Sequence, residues 1–286
     1  MASIDSDFAP PSALKIADPS STGTNEGDHV DEPIIDEHGI PILKTWSAVS
    51  IDDRAQALKI VADSVAQQRN IASRALVYHP MTLALLVAGF AGIRQALYDG
   101  ENSDYIKILM TFMGFVMSLL AGFRYVCAPY ISEAERIGTW KWLDEGRSTA
   151  EEEQTGVHVL GEQDEILLTK FGADYIGAII FRGVQPSTGM KKSRKQTKMQ
   201  LRAWTVAQKY RRKDIGTALL EDAIKVGEPE GWTTGGIEIA PNHANSKRVL
   251  PQMLNGSLDK HDEIAHKILN RKVGLSTERD ENRKRK

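Results

Sequence analysis

The sequence predicts an α+β fold interrupted by an inserted pair of apolar helices. Three observations carry that expectation. Residues 201–224, LRAWTVAQKYRRKDIGTALLEDAI, pass from strand alternation through a basic turn containing glycine into an amphipathic helix. Residues 165–181 hold two strand-like runs, EILLTK and YIGAIIF, split by a Gly-Ala-Asp turn as in a hairpin. Residues 75–93 and 108–123 carry no Asp, Glu, Lys or Arg.

At 286 residues the chain has room for one sizeable domain with additions. Its net charge of -2 argues against a nucleic-acid binder. Residues 1–40 carry nine acids against one base, Lys15, with Pro10, Pro11, Pro19 and Pro33, so residues 1–39 read as a disordered acidic segment. That segment has no basic start and no apolar core, unlike a secretory signal peptide. Cys127 is the only cysteine, which excludes an intrachain disulfide and a thiolate zinc site, and no metal is expected. At the end of an apolar run it reads as a small apolar residue, with lipidation as the alternative.

The elements follow in chain order. Residues 40–74 supply a first strand, IPILKTWSAV, and a first helix. Ser50 and Asp53 resemble a capping box, and Ile51, Ala55, Leu58, Ala62 and Val65 follow at helical spacing. Residues 75–128 form the inserted hairpin. The first apolar run reaches the roughly 20 residues needed to span a bilayer, and Lys107 and Arg124 extend the second by snorkelling. Gly89, Gly92, Gly114 and Gly122 suit close helix packing. The alternative is a buried pair of core helices. The acids Asp99, Glu101 and Asp104 lie in the loop, and Arg69, Arg74, Arg124, Arg136 and Lys141 lie outside the spans. That asymmetry puts both soluble parts on the cytoplasmic side of an endoplasmic reticulum or other endomembrane. Residues 129–163 read as a linker with Trp140, Trp142 and the run Glu151-Glu152-Glu153. Residues 164–270 hold strands at 165–170, 175–181, 201–206 and 236–240, and a helix within 243–255 that Pro251 limits. The loop 185–198 carries Lys191, Lys192, Arg194, Lys195 and Lys198, which fits an anionic headgroup, an acidic partner or a solvated loop. Residues 271–286 form a charged tail without strand pattern.

The basic turn at 210–216 is a natural anion site, because helix-terminal N–H groups and the positive end of the helix dipole meet there. Here the chain resembles the GNAT superfamily of acyl-CoA-dependent N-acetyltransferases. Arg211-Arg212-Lys213-Asp214-Ile215-Gly216 fills that family's [Arg/Gln]-x-x-Gly-x-[Gly/Ala] turn, with Asp214 in place of the first glycine. Thr217 and Ala218 continue the pattern. The resemblance covers roughly residues 41–255. It implies a GNAT-like, mixed and mostly antiparallel sheet flanked by helices, with acetyl-CoA as co-substrate and an amine acceptor. It also implies roles: backbone from Trp204, Thr205 and Val206 faces the thioester, and Arg211 to Gly216 holds the pyrophosphate with a hydroxyl contact from Thr217. The family's asparagine near the end of the fifth strand corresponds to Asn242 or Asn245. Glu238 and His243 are the candidate bases. The family's tyrosine acid has no counterpart between Pro241 and Asn270, and its sixth and seventh strands are not evident.

The hairpin insertion is similar to that of animal membrane-bound acetyltransferases acting on cysteine conjugates or aspartate. The segment Asn-His-Ala-Asn-Ser-Lys-Arg departs from them, which suggests a separate, fungal branch. The lipid bilayer is therefore an expected partner, together with a possible second copy of the chain. The competing expectation is a catalytically degenerate GNAT-like module serving as a membrane interaction scaffold.

Overall fold

The computed structural model describes residues 41–100, 104–145, 147, 157–186, 197–233 and 235–284. The acidic segment 1–39, the run Glu151-Glu152-Glu153 and most of the basic loop around Lys191 and Arg194 lie outside the described residues. Strand β1 (Leu43–Ser47) leads into helix α1 (Ile51–Val77). Ser50 caps α1 by accepting the Asp53 N–H at 3.0 Å. The reciprocal half of a capping box does not form, because Asp53 Oδ2 accepts from Trp46 Nε1 at 3.1 Å instead. Ala57, Leu58, Val61, Ala62 and Val65 form the buried stripe of α1.

Helices α2 (Pro80–Leu97) and α3 (Asp104–Val126) form the hairpin. α2 buries none of its residues, and α3 buries only Asp104 and Ile108. The two helices pack on each other. Phe90 meets Phe112 edge-on at 5.2 Å, and Phe115 lies so close to Gly89 that a Cβ there would sit 2.6 Å from its ring. Asp104 closes the turn by accepting the Asp99 N–H at 3.0 Å and Lys107 Nζ at 3.1 Å.

The stretch expected as a linker contains α4 (Pro129–Ile137), α5 (Trp140–Asp144) and β2 (Val157–Val159). Tyr130, Ala134 and Ile137 recur at helical spacing and are buried, as is Trp142. Cys127 is also buried, which removes it from lipidating chemistry in the folded state.

The sheet runs β1-β3-β4-β5-β6, with β2 paired to β4. Its strands are β3 (Glu165–Phe171), β4 (Asp174–Pro186), β5 (Lys198–Val206) and β6 (Ile237–Ile239). All pairings are antiparallel except β5 with β6. Alternate residues feed two cores. Ile166, Leu168, Ala178 and Ile180 face α1, α4 and α5, whereas Leu167, Ile179 and Phe181 face α6 (Ile215–Gly227).

The uninterrupted alternation expected from Leu201 to Val206 is corrected by a β-bulge. Phe181 pairs with Leu201 but Ile180 pairs with Ala203, so Arg202 is an extra residue on β5. Leu201 and Trp204 consequently join the α6 side, and Ala203 joins the α1 side.

The C-terminal region also differs from expectation. Residues 240–251 form turns rather than a helix. A long helix, α7, starts at Gly256 and continues to Lys284, through the expected tail. Pro251 has no N–H to contribute to a helix spanning it, and the Asn255 carbonyl accepts the N–H groups of Leu258 and Asp259 to start α7. Leu269 anchors this otherwise charged helix in the α6-side core. Among the described residues no strand follows β6.

Candidate active site

The bulge at Arg202 is fixed from beneath. Its guanidinium is fully buried, stacks 4.3 Å from the Trp142 ring, and donates to the Trp142 carbonyl (2.5 Å), the Leu143 carbonyl (2.7 Å) and Asp164 Oδ2 (2.6 Å). Asp164 also accepts from Arg147 at 2.5 Å. The bulge is thereby tied to α5 and to the segment entering β3.

Above the bulge the sheet opens. β5 and β6 pair only from Met199↔Ile237 to Leu201↔Ile239. The Ala240 N–H then reaches the Leu201 carbonyl, and the Ala244 N–H reaches the Arg202 carbonyl, each at 2.8 Å. On the other edge, Ala207 donates to the Ile176 carbonyl of β4 at 2.7 Å. Ladder alternation therefore turns the N–H groups of Trp204 and Val206 away from β4, toward the gap where β6 has departed. The gap is a cleft of about 530 Å³, bounded by Trp204, Thr205 and Val206 on one side and Ile239 to Pro241 on the other. Ser64, Gln67 and Gln68 of α1 and one face of α7 complete it.

The basic turn stands at the mouth of this cleft. Arg211, Arg212, Lys213 and Asp214 are exposed, and among the described residues none of the three cations is ion-paired. Arg211 Nε donates to the Val206 carbonyl at 2.8 Å and its Nη2 to Gln67 Oε1 at 3.0 Å. Lys213 lies over the Tyr210 ring. Arg212 (φ 63°) and Asp214 (φ 58°) are both left-handed, and Asp214 makes no side-chain cap. The α6 ladder begins with Ala218 N–H to the Asp214 carbonyl, which leaves the N–H groups of Ile215, Gly216 and Thr217 without a helical partner. Trp204 Nε1 donates to the Gly216 carbonyl at 3.0 Å and locks the start of α6 against β5. A diphosphate fits this arrangement: N–H groups without a helical partner, a helix dipole and three cations without an ion-pair partner converge. The Asp214 carboxylate opposes it.

The two expected bases separate. Glu238 does not line the cleft. It points out beside Lys198, with a 3.0 Å ion pair and 40% side-chain exposure, because β6 pairs in parallel with β5 and places it opposite Gln200. His243 does line the cleft. Its Nδ1 accepts the Asn245 N–H at 3.2 Å, so the neutral ring carries its proton on Nε2. Burial, followed by His266 and Arg248, pulls its pKa down to about 4. The geometry thus makes His243 a hydrogen-bond donor at neutral pH and a weak base. Asn245 lines the cleft, but its amide is engaged by Gln68 (3.0 Å) and Ser64 (3.2 Å), which join α1 to the turns after β6.

α7 adds residues that the sequence did not single out. His261, Asp262 and His266 all line the cleft, and Asp262 and His266 are one turn apart. Asp262 is ion-paired with Arg248, yet burial raises its pKa against that pairing. The spacing His-Asp-x-x-x-His was visible in the sequence. Its direction required knowing that a helix, rather than further strands, closes this side. No tyrosine lines the cleft among the described residues.

The family model for the acetyltransferase (GNAT) family matches residues 128–251. The matched segment, under half of the chain, runs from α4 through β6 of the sheet described above, in a GNAT fold, and β1 and α1 precede it across the hairpin. A solved aminoglycoside acetyltransferase from an uncultured soil metagenomic sample shares 19% identity, with a TM-score of 0.24. The similarity covers 28% of this chain and 48% of that one, so this chain spans about half the length of that neighbour. No curated protein matches the chain.

Proposed function

We propose that the protein is a membrane-anchored, acyl-CoA-dependent N-acyltransferase that moves an acetyl group from acetyl-CoA to an amine. The observation carrying this reading is the parting of β5 from β6 beside an uncapped, cation-flanked helix start. The pyrophosphate binds at Arg211 to Gly216 and the pantetheine arm lies in the gap. The N–H groups of Trp204 and Val206 meet the thioester oxygen as it gains charge. The amine nitrogen attacks the carbonyl carbon, the C–N bond forms and the C–S bond breaks, releasing CoA thiolate. The amine proton passes to His266, with Asp262 beside it on α7. His243 donates through Nε2 and does not accept.

The hairpin supports the anchoring half. Only 6% of each apolar window is buried within the protein, unlike a core helix. Exposed tyrosines bracket it: Tyr78 and Tyr125 at the domain end, Tyr98 and Tyr105 at the loop end. That is the arrangement of aromatic belts at two bilayer interfaces. α2 alone, with 18 residues, is roughly 27 Å long, close to a hydrocarbon core. The basic residues at the domain end favour the cytoplasmic face, where acetyl-CoA is available. A glycosylation acceptor built into the α2–α3 loop should be modified in microsomes, and an unmodified loop would overturn this orientation.

One observation favours a second reading. Asp214 places a carboxylate inside the anion cradle, as in a degenerate scaffold that no longer binds acyl-CoA. Release of free CoA thiol from acetyl-CoA on adding a panel of amines separates the two. Amine-dependent release supports the transferase, and its absence across the panel supports the scaffold.

A further inference from the structure

At the root of the hairpin, we infer a second binding site, for one anionic glycerophospholipid. Arg69 of α1 and Arg124 of α3 line two adjoining recesses between these helices. No carboxylate lines either recess. Two nearby cations are committed: Arg136 pairs with Glu133 and Glu145, and Lys247 pairs with Glu133. Arg69 and Arg124 have no hydrogen-bond or ion-pair partner among the described residues. Arg69 is nevertheless half-buried, so its charge is partly desolvated without compensation.

Phosphate chemistry resolves that imbalance, since two guanidinium forks suit a shared phosphate. The apolar lining commits the ligand to a lipid. Below the arginines the recess is floored by Val77, Leu120 and Phe123, continuous with the uncovered surface of α2 and α3. A free phosphate has no use for that floor, whereas acyl chains extend along it. The level also fits: Tyr125, 82% exposed and adjacent to Arg124, marks the interface where headgroups lie. The Ser73 hydroxyl, in the same recess, is placed to contact the headgroup.

This site rests on the bilayer reading of the hairpin given above. It is tested on the full chain in detergent by native mass spectrometry, with phosphatidylserine, phosphatidylcholine or inorganic phosphate added. Wild-type protein should retain one phosphatidylserine with a preference of roughly 30-fold over phosphatidylcholine. Arg69→Gln with Arg124→Gln should lose the preference, and the Lys pair should keep most of it. Equal retention of both lipids, an unchanged preference in the Gln pair, or displacement of the lipid by an equal concentration of inorganic phosphate would each overturn the site. Alkaline extraction from phosphatidylcholine membranes reads the hairpin separately. Retention without phosphatidylserine preference refutes the lipid site alone, whereas release into the soluble fraction refutes both.

Discussion

Asp214 holds a left-handed backbone at φ 58° where a glycine would carry no Cβ penalty, and it adds a negative charge to an anion cradle. Asp214→Gly should therefore tighten acetyl-CoA binding by about fivefold, read by calorimetry, through removal of the charge, whereas relief of the left-handed backbone acts on folding stability. Looser binding would mean that the carboxylate has a positive role. His243 gives a pH test. Its folded pKa of about 4 lies below the ordinary 6.5, so between those values the unfolded chain binds the extra proton. The contribution is fully present above pH 6.5 and is lost as pH falls toward 4, by at most about 3 kcal/mol. Urea midpoints should fall over that window in wild type and fall less in His243→Gln. His266→Gln should lower kcat about 100-fold with little change in acetyl-CoA binding, whereas an equal loss in both would point to a structural role. The sequence made the turn and His243 legible because both sit in local patterns. The role of His243 was not legible, since it depends on the Asn245 N–H that occupies Nδ1. The isolation of Glu238 was hidden likewise, because Lys198 comes beside it only through parallel pairing of β6.

Strands β3, β4 and β5 and the start of α6 could be read from period and turn chemistry, since each satisfies its own local pattern. The bulge could not. Arg202 occupies a strand position where alternation predicts a regular pleat; its partners Trp142 and Leu143 come from a stretch that read as linker, and Asp164 is the residue that follows that stretch. That buried cluster sets where β5 bends and so where the cleft opens. Arg202→Met should leave Asp164 underpaired in the interior and cost about 3–5 kcal/mol of stability by denaturant unfolding. A loss under about 1 kcal/mol would show that Arg147 alone neutralises Asp164. The hairpin offers a parallel test. Phe115 rests on Gly89, so Gly89→Val should push α2 and α3 apart and lower the thermal midpoint of the detergent-solubilised protein, while Gly92→Val, which meets open space, should not.

As a whole, the molecule joins a GNAT-type domain to an uncovered apolar hairpin that interrupts the domain between its first helix and the remaining strands. α1 belongs to both parts: its middle turns line the cleft, and its last turn leads directly into α2 through His79. No pattern for the family's later strands is evident in the sequence, and the long helix α7 closes that side of the cleft. Its charged pattern gave little sign of this, because among the described residues its core contacts are few: Leu258 packs with Tyr130 and Leu250, and Ile268 and Leu269 join the α6-side core. On this reading the gap between β5 and β6 receives an acyl-CoA. Titration of the full-length, detergent-solubilised protein with acetyl-CoA by calorimetry tests it most directly. Saturable binding that is abolished in Gly216→Trp, where bulk would fill the space beside Trp204 and Val206, is the expected result. No binding heat at near-millimolar acetyl-CoA, or equal binding by the Gly216→Trp variant, would contradict it.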